Sequence, residues 1–295
     1  MAITASPVPR GPVTANLNFT IRPAPGTVAF NYVDTPPAGQ PQRNLAQEAH
    51  PVRISDIRGR ESEFTLDRDA FQVISGVLPS KEEQVQEGSS ASNFTDDASI
   101  AAHYYPEVEQ LLLSSIPGST RVVIFDHTIR RADPSAPRRA VQLAHIDQTA
   151  TSAAQRVRRH VADPDEAEAL LRGRYRIVNV WRTLNKNPVE SMPLAFGSSA
   201  SLSQDDVIPV EHRYPNGYVG QTAAIAYNPS QQWYYLSGMT GDERLLLECF
   251  DSESLKEGSG VAGGRVPHSA FEDPRTRVDA EGRESIEVRT LVFGP

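Results

Sequence analysis

Apolar and polar residues first alternate regularly at "TANLNFTI", where every second side chain falls on one face of an extended chain and one strand is predicted. Around that run the first fifty residues carry "SPVPRGP", "RPAPG" and "DTPPAGQPQ". A segment so rich in proline makes no compact core by itself, so residues 1–50 are expected as an arm over the domain or a contact between two subunits. "HPVRISDIRGRESEFTLDRDAFQVI" reads as a strand with a turn, a second strand and a short helix. In "TDDASIAAHYYPEVEQLLLSSIPG" the apolar period lengthens to that of a helix, with Thr95 or Asp96 as N-cap and Pro117-Gly118 as stop. Residues 51–120 should therefore supply mixed helical and strand support.

The texture changes at residue 121. "RVVIFDHTIRR" is β-branched and apolar, "APRRAVQLAHID" follows, and a helical insert at about 149–173 contains "SAAQRVRRHVADPDEAEALLRG", two helices broken at Asp163-Pro164. Then come short strand-like runs, "RYRIVNVWRTL", "VESMPLAFG", "QTAAIAYNP", "QWYYLSGM", "RLLLECFD", "RVPHSAF" and "ESIEVRTLVF", separated by turn-forming residues. Their spacing is that of an all-β sandwich or barrel, and no internal repeat is present. The pattern predicts a mainly β fold with supporting helices, its core a double-stranded β-helix (jelly roll, cupin-like) over residues 121–295, the whole chain forming one structural domain.

Composition narrows the partners. With 295 residues the chain buries a full core, and a formal net charge of −8 argues against a nucleic-acid or anionic-membrane surface as main partner. A small molecule fits better. Cys249 is the only cysteine, so neither an internal disulfide nor a thiolate zinc cluster is available, and it reads as a buried small hydrophobe. The start "MAITASPVPRGP" lacks a basic stretch followed by an apolar core, and no apolar run approaches the roughly 20 residues that cross a bilayer. A cytoplasmic protein without a signal peptide is expected.

Candidate chemistry begins at "VQLAHIDQTA", residues 141–150. In a strand His145 and Asp147 project from one face while Ile146 points away, which makes half of a metal site. The other histidines stand at 50, 103, 127, 160, 212 and 268. His160, among "RVRRH", and His212, in the turn-rich "VEHRYPNG", read as solvated side chains. His103 and His127 read as satisfied structural histidines. His268 differs because a polar loop after it leads to Arg283-Glu284-Ser285 at the head of the last strand, where Arg283 and Ser285 share a face and can grip one anion. Two histidines and a carboxylate with open coordination positions form the facial triad of non-haem Fe(II) oxygenases. If the cosubstrate is 2-oxoglutarate, its oxo-acid end chelates iron, and its far carboxylate needs a buried planar cation, which arginine provides and a serine hydroxyl completes.

H-x-D, a histidine 123 positions later, and R-x-S fifteen residues beyond that resemble the Fe(II)/2-oxoglutarate-dependent dioxygenases of the penicillin-expandase type. "HIDQT", "RIVNVWRTL", "VESMPLAF", "YNPSQQWYYLSGMTGDE", "ECFDS", "PHSAFEDP" and "RESIEVRTLVF", within residues 141–293, more closely resemble a mainly fungal and bacterial subgroup that includes gibberellin desaturase, the aspergillic acid hydroxylase and the cephamycin 7-alpha-methoxylation protein. The resemblance implies Fe(II) on His145, Asp147 and His268, 2-oxoglutarate on Arg283 and Ser285, and dioxygen as cosubstrate. It also implies hydroxylation, desaturation or oxidative ring formation on a small secondary metabolite or amino-acid-derived compound. Thr183 stands where the subgroup has proline, and "LNKNPVES" and "KEGSGVAGGRV" fall where its members vary, which bears on substrate rather than on iron.

Asn179, Trp181, Arg182 and Tyr235 are the substrate candidates. Asn179 and Trp181 share one strand face and Arg182 takes the other, so they line one pocket together only if the strand is bulged. Arg289 shares the Arg283 face but lies about 20 Å along the strand, too far for the same contact. Residues 255–265 are the candidate lid. Two alternatives stay open: an iron oxidase that uses no 2-oxoglutarate, and a cupin-like small-molecule binding protein. The arm allows a homodimer.

Overall fold

Two β-sheets meet across one interior in the computed structural model, which describes residues 8–84, 94–132 and 138–294. The larger sheet has nine strands in the order β1 (Val13–Thr20), β3 (Gln47–Asp56), β11 (Trp233–Tyr235), β8 (Leu194–Gly197), β13 (His268–Ala270), β6 (His145–Ile146), β10 (Val219–Ile225), β9 (Val207–Arg213) and β2 (Ala29–Tyr32). The smaller has five: β4 (Phe71–Ile74), β12 (Arg244–Asp251), β7 (Tyr175–Thr183), β14 (Ser285–Phe293) and β5 (Arg121–Arg130). Short helical turns α1 (Leu66–Asp69) and α2 (Lys81–Gln84) precede α3 (Asp97–Ser115), and α4 (Ala150–His160) and α5 (Pro164–Arg172) form the insert. This is the expected jelly roll with helical support.

Strand alternation explains the layering. On β7, Tyr175, Ile177 and Trp181 enter the main core between the sheets, while Val178 and Val180 enter a second core beneath α3. On β14, Leu291 and Phe293 face the first core, and Ile286, Val288 and Val292 face the second. α3 answers with Ile100, Tyr104, Val108 and Leu112, four apart and buried, each contributing about 1.5–3 kcal/mol. Its N-cap is Asp96, whose carboxylate accepts from Ser99 N at 2.7 Å. α4 opens on a Thr149–Ser152 capping box, and Pro164 stands in the first turn of α5 behind its Asp163 cap.

From residue 8 on, where it is described, the proline-rich amino-terminal segment enters the large sheet. β1 pairs with β3 from Val13↔Ile54 to Thr20↔Gln47, and β2, which alternation does not announce, runs parallel to β9. β1 also fastens the approach to the His145–Asp147 motif: Ala144 N donates to Asn18 O at 2.9 Å, and Asn18 Nδ2 to Gln142 O at 2.8 Å. Residues 255–265 pack elsewhere, with Ala262 N on Asp67 O and Arg265 on Gln204. Neither partner lines the cleft described below.

β12 carries a buried acid outside that cleft. Glu248 is fully buried, its carboxylate oxygens accept no hydrogen bond from the described residues, and Arg176 Nε lies 3.6 Å away. Burial, reinforced by Asp251, pushes its carboxyl well above the usual range. The folded protein therefore holds a proton that the unfolded chain releases, and stability falls as pH rises above the ordinary glutamate value. Glu248→Gln should raise Tm at neutral pH and flatten the decline from about pH 5 upward. Thermal unfolding across that range measures it.

Candidate metal centre

The inner face of the smaller sheet changes chemistry halfway along its strands. On β7 Tyr175 and Ile177 give way to Asn179 and Trp181; on β14 Phe293 and Leu291 give way to Arg289, Glu287 and Ser285; on β5 Val123 and Phe125 give way to Thr128 and Arg130. The apolar half closes the core. The polar half meets His145, Asp147 and His268 from the larger sheet.

His145 and His268 are paired across β6 and β13, their ring centroids 4.4 Å apart. Asp147 follows β6 directly, its Oδ1 3.3 Å from His145 Nε2 and 3.9 Å from His268 Nε2. One donor atom from each residue lies within 4.8 Å of the others, spacing that fits a single ion. Each imidazole is turned by its far nitrogen: His145 Nδ1 lies 2.7 Å from Leu143 O and His268 Nδ1 3.3 Å from Val266 O. A ring nitrogen facing a carbonyl carries the proton, which leaves both Nε2 lone pairs aimed at the common point. Burial and the neighbouring His145 push His268 down to about 4, so it is neutral and ready to ligate. Burial opposes charge on His145 too, but the Asp147 carboxylate outweighs it and raises that histidine.

Gly197 lets β13 sit where it does. Its amide donates to Pro267 O at 2.8 Å, and a Cβ there would stand 2.8 Å from the Pro267 ring. Gly197→Ala should displace the start of the His268 strand.

Asp147 is held from behind. Its Oδ2 accepts from Asn179 Nδ2 at 2.9 Å and Arg289 Nε at 3.0 Å. Those donors are themselves fixed by Glu287, whose Oε1 accepts from Asn179 at 3.0 Å and Oε2 from Arg289 at 2.6 Å. Burial would raise the Asp147 carboxyl, but Arg289 and the two histidines hold it well below the usual range. Removing such orienting groups lowers metal affinity about 10- to 100-fold in comparable sites. Asn179→Ala and Arg289→Met should each weaken Fe(II) binding by that order, read by competition with a chromogenic chelator.

Arg283 stands across the cleft, buried, with Nη1 donating to Met192 O at 2.7 Å and its guanidinium 5.6 Å from the Trp181 ring centre. Met192 takes φ +51, a conformation that costs a non-glycine residue about 1–2 kcal/mol, and its carbonyl receives Arg283. Among the described residues no carboxylate lies within ion-pairing distance of Arg283. Burial, with Arg130 nearby, pushes it down to about 10. Ser285 is buried and pairs in register with Thr183 and Arg130.

The substrate candidates separate. Trp181 lines the cleft with Arg130, Arg283 and Glu287 beside the two histidines. Asn179 instead spends its amide on Asp147 and Glu287. Arg182 points to the opposite face, stacked on Phe94 and Tyr104 at 5.3 and 5.9 Å and paired with Glu83, so it lines no common pocket with Trp181. Tyr235 donates to Gly11 O at 2.7 Å and accepts from Arg275 at 2.8 Å, which ties it to the amino-terminal segment. His212 is half-buried rather than solvated: it meets Thr222 Oγ1 at 2.8 Å and shares a polar cavity of about 240 Å³ with Asp147 and Arg289. Sequence reasoning missed Arg130, Glu287 and the grip of Arg289 on Asp147, although alternation from Arg283 puts Glu287 and Arg289 on the right face.

The sequence matches the family described as oxidoreductase/YMDC permease-like domain over residues 17–293. Among the described residues no helix is long and apolar enough to cross a membrane. The hydroxylase/desaturase poxK of Penicillium oxalicum is 38% identical over 313 residues, spanning 99% of this chain and 94% of the relative. The Fe(II)/2-oxoglutarate-dependent dioxygenase nvfI of Aspergillus novofumigatus is 31% identical over 282 residues, spanning 93% of this chain and 94% of its own. A solved structure of the iron and alpha-ketoglutarate-dependent endoperoxidase NvfI superposes with a TM-score of 0.82 at 27% identity, covering 97% of this chain and 99% of that one.

Proposed function

Since this chain belongs to the Fe(II)/2-oxoglutarate-dependent oxygenases, we propose that His145, Asp147 and His268 hold its iron and that Arg283 with Ser285 receives the far carboxylate of 2-oxoglutarate. One observation carries the reading: three pre-oriented donor atoms converge within 4.8 Å, while a buried arginine with no carboxylate partner among the described residues faces the same cleft. Iron with 2-oxoglutarate supplies dioxygen activation and hydrogen removal from a C–H bond, with succinate and carbon dioxide as coproducts.

The side chains do the rest. Asp147 offsets part of the ion's charge, and Arg289 and Asn179 keep it ionised and turned toward the histidines. Arg283 is already desolvated and held by Met192 O, so a carboxylate meets a cation that needs little reorganisation. Trp181 walls the cleft and keeps water from the reacting centre. The substrate is a small molecule. Relatives carry the names hydroxylase/desaturase and endoperoxidase, and we assign this chain a secondary metabolite as substrate, with hydroxylation, desaturation or oxidative ring formation as outcome.

Anaerobic metal-free protein titrated with Fe(II) and then 2-oxoglutarate tests the site. A visible charge-transfer band should grow to one equivalent of each, and metabolites should then be screened for substrate-dependent succinate release. Bound iron without a band would overturn the cosubstrate assignment. No bound iron would overturn the metal assignment.

A further inference from the structure

Three arginines stand around the candidate metal centre, two of them lining the cleft, and they are not equally satisfied. Arg289 is paired with Asp147, Glu287 and Asp126. Arg283 has no carboxylate partner among the described residues and is assigned to 2-oxoglutarate. Arg130 lies opposite Ser285 on β5 and lines the cleft beside His145 and His268. Its Nη1 donates to Arg139 O at 2.9 Å, and among the described residues no carboxylate lies within ion-pairing distance of it. The acids acting on it through space are Glu287 and, more weakly, Asp147, but both oxygens of Glu287 are engaged by Asn179 and Arg289, and Asp147 is held by the same two donors. Arg130 and Arg283 also lie close enough to repel one another, the first largely and the second fully desolvated. A carboxylate on Arg283 relieves one of them and leaves the other unmatched.

We propose that Arg130 anchors an anionic oxygen group of the substrate, a carboxylate or an ionised enol or phenol, and so sets specificity for acidic substrates. The inference rests on the cofactor reading above, which already assigns both carboxylates of 2-oxoglutarate: one to the metal with the oxo group, the other to Arg283. A third anion in the cleft must come from the substrate. A neutral molecule of the same shape would leave the guanidinium buried against it unpaired and bind more weakly.

The test uses benzoate and acetate against benzamide and acetamide as probes, titrated by calorimetry into the anaerobic Fe(II)–2-oxoglutarate protein. The native protein should prefer each carboxylate to its amide. Arg130→Met should weaken carboxylate binding by roughly tenfold or more, the scale of a charged hydrogen bond, with partial rescue in Arg130→Lys. The 2-oxoglutarate titration should stay within about twofold of native in both variants. Loss of 2-oxoglutarate affinity in Arg130→Met comparable to that in Arg283→Met would overturn the proposal by making Arg130 a cosubstrate anchor. Equal carboxylate binding in native and Arg130→Met, or no preference for carboxylates in the native protein, would overturn it as well. Benzoate titrated into metal-free Arg283→Met protein reads Arg130 with neither iron nor cosubstrate present. Failure of the charge-transfer band therefore overturns the cofactor reading separately from this one.

Discussion

His268→Ala is expected to abolish iron retention and lower succinate-forming turnover by at least about 10³-fold, well beyond the 10- to 100-fold typical of groups that only orient ligands. The variant leaves His145 and Asp147, two donors that cannot define a facial site. His268 is buried and holds only Val266 O with its other nitrogen, so its loss removes a ligand without uncovering a buried charge. The fold should therefore survive, with thermal unfolding close to native and iron content after desalting near zero. Asp147→Ala should differ: it strips a partner from Arg289, a largely desolvated cation, and should lower Tm as well as iron content. Retention of stoichiometric iron by His268→Ala would remove that residue from the centre.

The second large effect falls on Arg283. Arg283→Met should weaken 2-oxoglutarate by about 2–5 kcal/mol, roughly 30-fold or more, because the far carboxylate then loses the buried cation assigned to it. Cosubstrate-free protein should respond in the opposite sense. There Arg283 is a buried cation with no carboxylate beside it among the described residues, pushed down to about 10 by burial, and methionine of similar length removes that penalty. The variant should thus unfold at a higher temperature than native in the absence of 2-oxoglutarate and lose most of the stabilisation that added 2-oxoglutarate confers. Thermal scans with and without cosubstrate, beside the charge-transfer titration, read both halves. A native-like titration would move the anchor elsewhere.

Much of the site is legible because strand periodicity is local. H-x-D, the later histidine and R-x-S name five residues whose faces follow from a period of two, and His145, His268 and Arg283 line one cleft. The helix start at Asp96 and the break at Asp163-Pro164 are equally local, being set by side-chain oxygens and a missing amide within one turn. β2 escaped notice because its four residues are held by a parallel partner 181 positions away at Tyr32↔Arg213, not by a pattern of their own.

Taken by itself, the chain settles which side chains share a face and which chemistry they offer. It leaves open what stands opposite. Arg289 is recognisable as a neighbour in phase with Arg283, yet its role comes from the larger sheet laying Asp147 across the middle of β14, near the bulge where pairing with β5 shifts between Arg289 and Thr290. Asn179 became a support for Asp147 for the same reason, and Arg182, one residue from Trp181, was turned into the core under α3. Contacts between sheets depend on register, twist and bulges summed over distant segments, and only the folded chain decides them.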